Sequence, residues 1–142
     1  LDIGSLRVPS HFPDAVKVLL NELSAINVER FPNATFDLMR TFLEKSIKAA
    51  AESRGIDLRP AGHQGYVYLR NCLQWLQTDA ETNGPKHLVQ VLKQMQSSKV
   101  LDYAGSSDFL NALNHNHHVS VSPVEVRHSW GQMKSVLAGV LK

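Results

Sequence analysis

The sequence predicts an all-α protein, a helical bundle of about five main helices, and three observations carry that prediction. Apolar residues recur at spacings of three and four in several separate stretches, which is the period of a helix with one buried face. Glycine and proline fall between those stretches and interrupt them. The last stretch opens with Ser122, Pro123 and Glu125, an N-cap, a first-turn proline and the reciprocal partner of a capping box.

The chain in order supports this. Residues 1–10 have no period and end in Val-Pro-Ser, so they read as an extended lead-in or linker. Phe12 and Pro13 open the first helix, with Asp14 favourable in its first turn. Its apolar face is Phe12, Val16, Leu19, Leu20, Leu23 and Ile26, and it fades at Asn27.

Pro32 begins the longest helical segment, which runs to Arg54 and meets Gly55, a natural left-handed terminator. Leu38, Met39, Phe42, Leu43, Ile47 and Ala50 make its apolar face too wide for packing on one side only. This is the candidate central helix. Arg40, Glu44 and Lys48, spaced by four, suit an ion-pair ladder.

Pro60, Gly62 and Gly65 mark a loop over 57–65. A third helix is expected over Tyr66 to Ala80, with Leu69, Leu73 and Leu76 in one stripe and Cys72 beside it, although Tyr66-Val67-Tyr68 is locally strand-like. After the break at Asn83-Gly84-Pro85, Pro85 begins a fourth helix with Leu88, Val91, Leu92 and Met95 buried. A connector and a short helical piece over Asp108 to Leu113 lead to a histidine-rich loop. The last helix then runs from Pro123 to about Leu141, with Val126, Trp130, Met133, Leu137 and Val140 inward. Gly131 either weakens that helix by ~1 kcal/mol relative to alanine or permits a neighbour's close approach.

Composition bounds the function. The 142 residues suit one domain with one core, over 11–142, and 43% hydrophobic with 20% charged content is that of a folded globular chain. A net charge of +2 gives no argument for nucleic-acid or membrane binding. One cysteine, Cys72, allows no internal disulfide and points to a reducing, cytoplasmic setting. No apolar run reaches membrane-spanning length, so no membrane partner is expected. Leu1 stands where a start methionine would, and with the lead-in this suggests the C-terminal part of a longer protein.

The loop before the last helix concentrates the chemistry-bearing residues. Four of the seven histidines, His115, His117, His118 and His128, lie between 110 and 130. On an extended segment His115 and His117 point the same way, and His118, His128 or Asp108 can complete a metal set. The competing reading is a solvated loop. Without a metal, His115 can act as acid or base on a ribose hydroxyl, with Asn116 as polar partner and Arg127 as phosphate clamp. The plainer reading of these positions is a turn asparagine and a surface arginine. The chain has no P-loop and no nucleophile elbow. Trp75 and Trp130 read as packing residues rather than base-stacking platforms.

Three stretches carry a family resemblance. They are Phe31-Pro32-Asn33-Ala34 through Leu38 and Arg40 to Leu43-Glu44, then Leu110-Asn111-Ala112-Leu113-Asn114-His115, then Ser122 with Val126-Arg127 and Trp130. In these the chain resembles the HEPN superfamily, in particular helical modules at the C-terminus of larger bacterial proteins, some of them defence-related. The resemblance implies a four-helix core that dimerises, and it raises RNase activity at a dimer groove. The family's motif is an arginine, four to six residues, then a histidine. Counting back from His115 gives Leu110, Phe109 and Asp108, none of them arginine. Only His115 carries over. The expectation is therefore a non-catalytic module for self-association, or for contact with a partner protein or nucleic acid, with no cofactor. The alternatives are a metal-independent RNase centred on His115 and a metal-binding regulatory loop at His115, His117 and His118.

Overall fold

The computed structural model describes residues 1–59, 66–97 and 120–142. Among them are five α-helices and no strand, so the protein is an all-α bundle: α1 (Asp14–Ala25), α2 (Pro32–Ser53), α3 (Leu69–Asn83), α4 (His87–Ser97) and α5 (Pro123–Val140). The expected helical piece at 108–113 lies outside the described residues, as does most of the loop that follows it.

Helix α2 is the centre. Pro32 occupies its first turn, where a missing N–H goes unnoticed, and Thr35 returns its side-chain hydroxyl to the carbonyl of Phe31 at 2.7 Å. At the other end the Gly55 N–H donates to Glu52 O (3.0 Å) and the Ile56 N–H to Ala51 O (2.9 Å). These bonds satisfy two orphan carbonyls and require the left-handed φ of +69° that glycine supplies. Between these ends Phe36, Met39, Phe42, Leu43 and Ile47 are fully buried, and α2 packs against α1, α3 and α5. Leu38 and Ala50 sit at the margin of that face, partly buried. The Arg40–Glu44–Lys48 ladder forms, with ion pairs of 3.4 and 2.6 Å to the Glu44 carboxylate.

Helices α2, α3, α4 and α5 close a ring of four, each packed on two of the others, and α1 lies outside against α2. The contacts set the directions. Asn33, at the start of α2, accepts from the Val121 N–H just before α5, so those helices begin at the same end. Arg54, capping the end of α2, forks onto the Asp79 carboxylate late in α3 at 3.0 and 3.1 Å, so α3 runs the same way. Helix α4 returns antiparallel after the turn at Gly84-Pro85, and Gln96 reaches back to Gln77 at 2.7 Å. Leu92 and Met95 of α4, and Val126, Met133, Val136 and Leu137 of α5, complete the core.

Three helix starts differ from expectation: α1 begins at Asp14, with Pro13 as its N-cap and Phe12 ahead of the helix, and α3 and α4 also begin later. Helix α3 begins at Leu69, three residues later than the apolar pattern suggests, and continues to Asn83. Tyr68 is extended (ψ 158°), and its N–H donates to the Asn71 side chain at 3.2 Å, which places the helix N-terminus there. Helix α4 begins at His87 rather than Pro85.

The two glycines of α5 differ in role. Gly131 is exposed, and nothing lies within 4 Å of where a Cβ would stand, so it serves no close approach. Gly139 does: an added Cβ there meets Leu88 Cδ1 of α4 at 2.9 Å. Gly131→Ala should therefore raise unfolding stability by ~1 kcal/mol through helix propensity alone. Gly139→Ala should gain nothing net, because overpacking costs ~1–3 kcal/mol and offsets that propensity. Urea midpoints of the two variants check this. Equal gains would mean that the α4–α5 contact at Gly139 is slack.

The lead-in runs between α1 and α5. Leu6 is buried, and Leu1, Ile3 and Val8 pack against the core. The Leu1 backbone nitrogen donates to Leu23 O of α1 at 2.9 Å, and the Trp130 indole N–H of α5 donates to Asp2 O at 2.7 Å.

Candidate functional site

Of the residues that the sequence singles out for chemistry, Arg127 and His128 lie within the described structure. His115, Asn116, His117, His118 and Asp108 lie outside it. Among the described residues no three His, Cys, Asp or Glu side chains gather to hold a metal ion.

Arg127 stands in the second turn of α5, positioned by the capping box that starts the helix. The Glu125 N–H donates to Ser122 Oγ (3.2 Å), and the Ser122 N–H donates to Glu125 Oε2 (2.7 Å). Two of the orphan donors of the first turn are thereby satisfied. From this helix Arg127 faces the connection between α1 and α2. There Asn27 makes a side-chain turn, its Oδ1 accepting from the Arg30 N–H at 3.0 Å while Asn27 O accepts from the Phe31 N–H at 2.8 Å. That turn presents Glu29, whose Oε1 lies 2.5 Å from Arg127 Nη2. Both side chains are more than half exposed, so the pair is worth ~0.2–1 kcal/mol and is weakened by salt.

This pair lines one side of a surface cleft of about 500 Å³, bounded by the lead-in, the α1–α2 connection and α5. Trp130, Val28 and Ile26 provide its apolar lining, and Asp2 and Lys134 stand with Arg127 and Glu29 as its charged groups. Lys134 Nζ lies 3.5 Å from the Asp2 carboxylate and 3.3 Å from the Asp2 carbonyl. The two side-chain cations of the cleft, Arg127 and Lys134, each have a carboxylate beside them. An incoming phosphate would meet Glu29 beside Arg127 and Asp2 beside Lys134, and each carboxylate repels it.

Asp2, Glu29 and Lys134 were not expected at the site. Glu29 and Arg127 are far apart in the chain, and no local period links them. Glu29 offers one signal only, its place beside a turn-forming asparagine.

The neighbouring candidates resolve simply. His128 is exposed on α5, whereas Ser129 is fully buried with no hydrogen-bond partner for its hydroxyl among the described residues, so the two face different surroundings. Trp130 is 4% exposed and its N–H is spent on Asp2 O, as expected of a packing residue. Trp75 is partly buried beneath the Arg54 guanidinium, 5.5 Å from its ring centroid. Cys72 is fully buried on α3. Burial first, and then the charge of Glu44, pushes its thiol up to about 11, which keeps it protonated and unreactive.

Among the described residues no helix is long and apolar enough to cross a membrane. No family model matches the chain, and neither a curated protein nor a solved structure matches it.

Proposed function

We propose that this chain is a non-catalytic, HEPN-like helical module of a multidomain bacterial protein, of the kind found in defence systems. It works in the cytoplasm by self-association, as a homodimer, or by binding a partner protein or nucleic acid. The observation that carries the reading is the state of Arg127. Its guanidinium, the phosphate clamp that an RNase of altered motif would need, is paired with Glu29. A guanidinium already facing a carboxylate is less prepared for a phosphate than a free one, which weighs against Arg127 as a phosphate clamp.

The experiment is cleavage of a labelled mixed RNA pool in EDTA, comparing the wild type with His115→Ala, alongside light scattering over a wide concentration range. The expected result is no cleavage above background by either protein, with a dimer appearing as concentration rises. Metal-independent cleavage that disappears in His115→Ala would overturn the non-catalytic reading and make His115 an acid–base residue. A strictly monomeric protein would overturn self-association and leave heterologous binding.

A further inference from the structure

Helix α1 lies outside the ring and packs on α2, with Val16, Leu19, Leu20 and Leu23 buried. Among the described residues no hydrogen bond or ion pair joins α1 directly to α2, α3, α4 or α5. Its polar ties beyond itself run to the segment before it. Leu23 O accepts from Leu1 N (2.9 Å), and Lys17 Nζ donates to Ser10 O (3.3 Å). The lead-in is in turn fixed to α5, where the Trp130 indole N–H and Lys134 Nζ donate to Asp2 O and Lys134 pairs with the Asp2 carboxylate. The lead-in is therefore a polar bridge from α1 to the ring. Past α1 the chain is anchored again, since Val28 is buried and Glu29 pairs with Arg127. Between α1 and that anchor the backbone is extended at Ile26, with ψ 137°.

We infer that residues 1–8 are a latch for α1. While they bridge α1 to α5, α1 stays on α2. Once they lift, α1 is held by apolar burial alone, and it swings away on Ile26 as an arm and uncovers the side of α2 on which it lay. The energetics set that order. Helix α1 has 12 residues, too few for a stable helix in water without a surface to pack on. The ring needs neither the arm nor the latch, because α2, α3, α4 and α5 close on one another. A peripheral unit of this kind opens below the global unfolding free energy. The catch of the latch is exposed at Asp2, so salt weakens its ion pair with Lys134.

Amide hydrogen exchange of the wild type and Lys134→Glu tests this. Lys134 is bonded to the lead-in and to no other described residue. The substitution sets two carboxylates against each other at the catch and touches no bond of α1. In the wild type the amides of Leu19, Leu20 and Leu23 should exchange roughly tenfold or more faster than those of Phe42 and Leu43 on α2. In Lys134→Glu the amide of Leu6, which donates to Ile3 O within the lead-in, should exchange several-fold faster, and the α1 amides should speed up by the same factor. Lys134→Ala should act in the same direction and less strongly. Amides of α1 as slow as those of Phe42 and Leu43 would mean that α1 leaves only with the whole bundle. Amides of α1 unmoved by a substitution that speeds the lead-in would mean that the lead-in does not hold the helix. A lead-in unmoved by Lys134→Glu would mean that Asp2 is not its catch. Each of these three results overturns the latch.

Discussion

Phe42→Ala should lower unfolding stability by ~3–5 kcal/mol, the range for truncating a buried aromatic side chain. Phe42 is fully buried on α2, the helix that contacts α1, α3 and α5. Two terms add. The free energy gained by taking the ring's apolar surface out of water is lost. The cavity left behind also cannot collapse, because its walls belong to helices held by other contacts. In a chain of 142 residues the melting midpoint should fall by roughly 10–15 °C. Urea unfolding followed by helical circular dichroism measures the change. Val124→Ala, at a side chain 75% exposed on α5, is the control and should stay within ~0.5 kcal/mol of wild type. A Phe42→Ala change as small as the control's would mean that α2 is not the centre of the core.

That α2 would be central was legible from its own residues, because width of apolar face, first-turn proline and terminating glycine are all local properties. The capping box of α5 was legible for the same reason. Helix α3 shows where this stops. Its last turn, Glu81-Thr82-Asn83, carries no apolar stripe. It is helical because polar side chains pair within it, Gln77 with Glu81 at 2.9 Å and Asn83 with Asp79 at 2.9 Å, and an apolar period cannot register that. Its start moved because Asn71, read as an interior position, receives the N–H of Tyr68. The roles of Gly131 and Gly139 depend on where Leu88 of another helix lies, which no window of sequence contains. The charged cleft is of the same kind. Arg127 could be named from sequence, but its pairing with Glu29 and the docking of the lead-in beside it are tertiary facts. The lead-in has no period because an extended segment laid in a groove needs none.

Trp130 is where those tertiary facts meet, and two substitutions there separate its two roles. Trp130→Ala should cost ~3–5 kcal/mol, as for other large buried side chains, since the residue is 4% exposed and lines both the core and the cleft. Trp130→Phe keeps most of the packing and removes only the indole N–H, leaving the Asp2 carbonyl that it serves at 2.7 Å without that donor. Lys134 still reaches the same oxygen at 3.3 Å, so the global loss should be near ~1 kcal/mol. The local consequence should be larger than the global one. The lead-in has no helix of its own to hold it, and segments of that kind open well below the global unfolding free energy. Arg7, exposed within the lead-in, offers trypsin a cut after it once the segment lifts. Trp130→Phe should therefore speed cleavage at Arg7 several-fold more than it speeds cleavage within the helices. If cleavage at Arg7 and loss of the helices instead rose together, the lead-in would be one cooperative unit with the bundle, and the indole bond would not be what holds it down.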